Sequence, residues 1–173
     1  MQCSVFIATS LDGYIARRDG SIDWLEIVAT PGEDYGFAAF YATVDVLVMG
    51  RTTYETALGF SEWPYAGKRV VVMTHRPGES RHGEEYVSGT PGELVRRLAA
   101  EGAKRVYVDG GTVIRQFLAE DLLDDLTISM IPIVLGDGLP LFGRGTGEHR
   151  LALAGVQHWP TGLVQLRYEK SRR

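Results

Sequence analysis

Short runs of β-branched and aliphatic residues recur along the chain, each closed by a turn-forming residue. VFIAT (5–9), VDVLVMG (44–50), KRVVVMTH (68–75) and RVYVDGG (105–111) are largely continuous apolar runs rather than alternating ones. Such runs suit strands covered on both faces, as in a largely parallel sheet. Helical patterns separate them. TPGE occurs at 30–33 and again at 90–93. Each copy predicts a helix start, with Thr as N-cap, Pro in the first position and Glu three residues after the cap. TTYE (52–55) repeats the cap-box spacing. Behind the second TPGE, Leu94, Val95, Leu98 and Ala99 share one helical face, and Gly102 follows as a C-cap.

Beyond residue 124 the pattern changes. DDLTISMIPIVL (124–135) predicts a long strand interrupted at Pro132, which belongs at an edge or a bulge. A glycine-rich loop (136–148) follows. LALAGVQHW (151–159) and LVQLRYEK (163–170) then read as an antiparallel hairpin around PTG. The order of elements predicts one α/β domain over 1–173, with about eight mostly parallel strands, an antiparallel C-terminal hairpin and about four flanking helices.

Candidate chemistry concentrates where strands hand over to helices. In VLVMGRTTYE (46–55) the strand meets Gly50, Arg51, Thr52 and Thr53; in VYVDGGTVIRQF (106–117) it meets Asp109, Gly110, Gly111 and Thr112. Both place backbone N–H groups and a hydroxyl at a helix N-terminus, where an anion is favoured. Ligands of open parallel sheets bind at the carboxyl ends of strands, and two such junctions fit a dinucleotide pyrophosphate. Neither is GxGxxG nor GxxxxGK[ST], so the standard Rossmann and P-loop readings fail. A third strand ends in Thr74, His75 and Arg76, a hydroxyl, an imidazole and a guanidinium suited to a phosphomonoester, which Arg51 could join.

SLDGYIARRDGSIDW (10–24) carries three aspartates and two Asp-Gly steps. Their spacing lacks the ligand set of a calcium loop. Histidines 75, 82, 149 and 158 are scattered and Cys3 stands alone, so no zinc pattern exists and no metal is expected. No GxSxG marks a serine hydrolase. The stretch reads instead as a loop with turns at Asp12-Gly13 and Asp19-Gly20, a candidate lid.

Composition narrows the picture further. A chain of 173 residues with 45% hydrophobic and 10% aromatic residues is folded and globular. The net charge of −4 argues against a nucleic-acid partner. No uninterrupted apolar stretch reaches the roughly 18 residues of a membrane span, and Met1 leads into a strand-like segment without a cationic n-region. The expectation is a cytoplasmic protein with Cys3 as a small core residue.

Taken in order, VLVMGRTTYE, the strand ending in Thr-His-Arg, VYVDGGTVIRQFL and DDLTISMIPIVLGDGLPLF resemble the dihydrofolate reductase-like fold. The likeness is greatest to the reductase domain of the riboflavin-biosynthesis deaminase/reductase and its stand-alone bacterial relatives. ATSLDGYIA (8–16) is similar to that family's first strand and following loop, and the likeness runs from about residue 3 to 170. It implies NADPH-dependent reduction, the nearest named activity being 5-amino-6-(5-phosphoribosylamino)uracil reduction. By position, Ala8 and Ile15 would border the nicotinamide, and Gly50, Arg51, Thr52 and Thr53 would hold phosphates. Thr74, His75 and Arg76 would contact the 2′-phosphate side, and Gly110, Gly111, Thr112, Val113 and Ile114 the second pyrophosphate face. The resemblance also implies a cis Gly110–Gly111 peptide, despite a usual cost of about 2.5–4 kcal/mol.

Three acids are candidates for the proton. Asp34 lies sixteen residues before Gly50, the spacing of the pterin-binding acid in dihydrofolate reductases. Helical spacing puts it on one face with Phe37 and Tyr41, a carboxylate among aromatics suited to a flat heterocycle, although an acid also favours a helix's first turn. Asp12 and Asp109 match acidic positions of the riboflavin-type reductases, where Glu is usual in place of Asp109; they equally suit turn formation. Trp24 would return the chain to the pocket wall. The substrate is then a small heterocyclic or carbonyl compound, the alternative being a non-catalytic NADP(H)-binding module. A homodimer is expected, because the C-terminal hairpin offers apolar strand surface that needs covering.

Overall fold

The computed structural model describes residues 1–143 and 146–171, so Arg144 and Gly145 of the glycine-rich loop lie outside the described residues. Among the described residues, ten strands and four α-helices follow in the order β1 (Gln2–Ser10), β2 (Tyr14–Ala16), α1 (Phe37–Ala42), β3 (Val46–Gly50), α2 (Arg51–Leu58), β4 (Arg69–Met73), β5 (Glu85–Val87), α3 (Pro91–Ala100), β6 (Arg105–Asp109), α4 (Gly111–Ala119), β7 (Asp125–Ile131), β8 (Leu139–Pro140), β9 (Leu151–His158) and β10 (Val164–Lys170). A 3-10 helix, Asp23–Val28, precedes α1. Eight strands form one sheet in the order β5-β4-β3-β6-β1-β7-β10-β9. Every pairing is parallel except β7–β10 and β10–β9, the expected C-terminal hairpin. Strand β7 ends at Ile131, immediately before Pro132.

The continuous apolar runs are buried on both faces, as the pattern requires. In β3, Val46 and Val48 enter one core with the α3 and α4 residues Leu94, Leu98, Ile114 and Phe117. Leu47 and Met49 enter the other, with Tyr54 of α2 and the α1 aromatics Phe37, Phe40 and Tyr41. The period of two likewise sends Val106 and Val108 of β6 to the first core and Tyr107 to the second. Asp109 therefore leaves β6 on the aromatic face. Cys3 is a buried core residue, as expected.

Local readings divide. The second TPGE forms the expected helix start, with a complete capping box between Thr90 and Glu93 and Pro91 in the first turn. The first TPGE is a turn, not a helix start: the Glu33 N–H donates to the Thr30 carbonyl oxygen at 3.1 Å, and Gly32 takes φ +80°. Pro then Gly at positive φ is the chemistry of a type II turn, and α1 begins only at Phe37. Thr52 is not a cap either. Helix α2 starts directly at Arg51 with Gly50 as N-cap and no side-chain cap. The Gly110–Gly111 peptide is trans, correcting the cis expectation; Gly110 turns the chain by itself at φ +87°. Among the described residues no helix is long and apolar enough to cross a membrane.

Candidate functional site

Strands β3, β4 and β6 end side by side, and a cavity of about 410 Å³ opens over their carboxyl ends. Gly50 to Thr53 line one wall, Gly110 to Val113 another, and Met73, Thr74 and His75 a third. The two helices meeting there are unusual in one shared respect. Both α2 and α4 have a glycine N-cap and no side chain bonded to their first-turn N–H groups, whereas α3, away from the cavity, is fully capped. Uncapped helix starts converging on one cavity form an anion-binding cradle. Glycine is required for the fit: a Cβ on Gly110 would run into Thr53 Oγ1, and one on Gly111 would meet Arg115 Nη1 and the Pro140 carbonyl oxygen, each at 2.9 Å.

Cations flank the cradle. The exposed Arg51 donates from Nε to Glu55 Oε1 and from Nη1 to the Arg76 carbonyl oxygen, both at 2.7 Å, which fixes its guanidinium against the end of β4. Thr74 Oγ1 accepts from the Arg76 N–H at 3.1 Å, setting the turn that presents His75 to the cavity. Arg76 itself is exposed and is not among the lining residues.

The fourth wall comes from the N-terminal loop. Strand β2 pairs antiparallel with β8, placing Ile15, Leu139 and Pro140 on the cavity. Arg115 Nη1 donates to the carbonyl oxygens of Pro140 (2.8 Å) and Leu141 (3.2 Å) and so ties this flap to α4. Arg115, Gln116, Leu139 and Pro140 are lining residues that sequence reasoning missed. Arg115 was legible, four residues beyond Gly111 and so on its helical face; the two-residue strand β8 carried no periodic signal.

None of the three candidate acids is among the residues lining this cavity, and their surroundings differ. Asp12 Oδ1 accepts from Ser10 Oγ (2.6 Å) and the Leu135 N–H (3.1 Å), and Oδ2 from the Gly136 N–H (2.7 Å). Those bonds, that of Ser10 first, hold its carboxyl below the usual carboxylate range. Asp34 stands before α1, not in its first turn, and accepts from the N–H groups of Ala38 (2.8 Å) and Gly36 (2.9 Å), which lower its pKa in the same order. Asp109 is different. Half-buried at the end of β6, it accepts from the Gly110 N–H (2.8 Å) and the Tyr65 hydroxyl (3.4 Å), and desolvation pushes it up to about 6.

Three of the expected site residues are not among those lining the cavity. Ile114 is fully buried in the core and its N–H is spent on the Gly110 carbonyl oxygen. Trp24 is 2% exposed, packed with Val28, Ile131 and Leu163 rather than on a pocket wall, and Ala8 packs against that cluster. Phe37 stacks on Tyr41 at 5.4 Å and meets Phe6 edge-on at 5.5 Å, on the same sheet face as Asp109.

A family model described as the RibD C-terminal domain matches residues 3–165. The chain is 37% identical to the uncharacterized protein YwjB of Bacillus subtilis (strain 168), covering 96% of this chain and 97% of that one. A solved structure from Shewanella sp. PV-4, provisionally described as a riboflavin biosynthesis protein, superposes with a TM-score of 0.93 at 40% identity, over 99% of this chain and 100% of that one. The diaminohydroxyphosphoribosylaminopyrimidine deaminase/5-amino-6-(5-phosphoribosylamino)uracil reductase of Thermotoga maritima shares the fold, with a TM-score of 0.74 at 15% identity over 98% of this chain and 56% of that one.

Proposed function

The chain belongs to the RibD C-terminal domain family, and from that premise we propose that it is an NADPH-dependent reductase of a small heterocyclic or carbonyl substrate, nearest in kind to the pyrimidine reduction of riboflavin biosynthesis. The observation that carries this reading is the pair of uncapped, glycine-started helices opening into one cavity beside Arg51 and His75. That donor set suits a dinucleotide. Gly50 to Thr53 and Gly110 to Val113 would hold the pyrophosphate, while Arg51, Thr74 and His75 would hold the 2′-phosphate, joined by the exposed guanidinium of Arg76. Ile15 would form the apolar wall on the nicotinamide.

The cofactor supplies the hydride when bound. The protein has to supply the proton, and Asp109 is the acid suited to it. Its carboxyl, held near 6 by burial, is partly protonated close to neutrality. Asp109 would give its proton to the nitrogen or oxygen beside the reduced carbon and regain one from solvent. Asp12 and Asp34 keep their charge and serve the backbone. The aromatic face of Phe6, Phe37 and Tyr41 beside Asp109 suits a flat ring.

The test is turnover. Oxidation of NADPH by the purified protein, followed with pyrimidine, pterin and simple carbonyl acceptors, should show acceptor-dependent consumption that Asp109→Asn removes without abolishing NADPH binding. NADPH binding with no turnover on any acceptor would favour the non-catalytic binding module instead.

A further inference from the structure

Desolvation raises the Asp109 carboxyl to about 6, and an acid that never ionises cannot complete a proton-transfer cycle. Something must offset the desolvation. The Gly110 N–H and the Tyr65 hydroxyl are the two hydrogen-bond donors on this carboxyl, and the burial itself is the opposing influence. Gly110 belongs to the cradle already described, whereas Tyr65 comes from the connection between α2 and β4, a segment with no part in the sequence motifs.

Tyr65 is braced for this position. Trp63 meets it edge-on at 5.1 Å and also meets Tyr54 edge-on at 5.9 Å. Tyr54 is in turn buried and bonded through its hydroxyl to Glu84, which accepts the Arg81 and His82 N–H groups at 2.9 Å as well. Of the other phenols in the cluster, Tyr107 is occupied, donating to the Phe6 carbonyl oxygen at 2.8 Å. Burial and the Asp109 charge both raise the Tyr65 phenol, so it remains a donor throughout the working range. The Tyr41 hydroxyl, buried without a hydrogen-bond partner in this same aromatic cluster, leaves one polar group there for a ligand.

We propose that Tyr65 is a positioning residue for the proposed reductase: its hydroxyl fixes the Asp109 carboxyl in orientation and favours its ionised form, so that the acid both gives and regains a proton near neutral pH. The proposal rests on the reductase reading for its purpose but not for its test. The test is a pH titration of the protein labelled with ¹³C at the aspartate carboxyls, the Asp109 resonance being identified by its loss in Asp109→Asn. Wild-type protein should titrate near 6. Tyr65→Phe should raise the midpoint by roughly half a unit to one unit, the scale of one hydrogen bond to a carboxylate. Tyr65→His, which restores a donor, should hold it at or below the wild-type value. An unchanged midpoint in Tyr65→Phe, or an equal rise in both variants, would overturn the proposal. A raised midpoint in a protein that turns over no acceptor would uphold the Tyr65–Asp109 pairing while the reductase reading fell.

Discussion

Asp12 and Asp109 both precede a glycine at the end of a strand, and the chain alone treats them alike. Their chemistry is set by partners far away. The N–H groups that bind Asp12 belong to Leu135 and Gly136, 123 and 124 residues on, while the half-buried Asp109 accepts from the hydroxyl of Tyr65, 44 residues back. This is why sequence reasoning could nominate three acids without choosing one. The choice has a consequence for stability. From its ordinary 3.8 to about 6, the folded carboxyl of Asp109 retains a proton that the unfolded chain has lost. Stability therefore falls as pH rises through that window and is flat above it, a penalty on the order of 3 kcal/mol at neutral pH. Asp109→Asn should accordingly raise the melting temperature at neutral pH and lose that gain near pH 3, while abolishing turnover. Equal melting temperatures at neutral pH would remove the buried-acid explanation. Stability given up at a working group is a familiar cost of activity.

At the scale of elements, the two TPGE copies show what a local signal can and cannot carry. The second is followed by LVRR, whose apolar residues bury against the first core, and becomes a helix; the first is followed by exposed Asp34 and Gly36 around a half-buried Tyr35 and closes as a turn. Capping chemistry permits a helix, but a buried face decides it. The flap β2–β8 was legible only in half. The Asp-Gly turns of the N-terminal loop appeared in the sequence, and Gly13 and Gly20 do take positive φ. Its pairing with Leu139 and Pro140 did not, because strands this short leave no period to read. Asp12 links the N-terminal loop to the segment leading into β8 through the Leu135 and Gly136 N–H groups, and Arg115 fastens β8 to α4. Hydrogen exchange across residues 11–21 should therefore slow when NADPH binds beneath the flap, and Asp12→Ala should speed it in the free protein. Exchange indifferent to both would mean that the flap does not close on the site.

For the whole molecule, the apolar runs disclosed the strands, and the ordered motifs disclosed the fold by resemblance. The strand order, with β1 between β6 and β7, is a tertiary fact that no local pattern contains. That order brings the ends of β3, β4 and β6 together and makes two ordinary glycine turns into one cradle. It also leaves β9 as a sheet edge with Leu153 and Val156 exposed, and we propose this edge as the surface a homodimer would cover. The cradle remains the central claim, and its most direct test is a titration of the protein with NADPH and with NADH, followed by nicotinamide fluorescence. Saturable binding of NADPH, tighter than NADH by roughly tenfold or more as a charge-assisted phosphate contact requires, is the expected result; no binding, or equal affinity for the two, would contradict it.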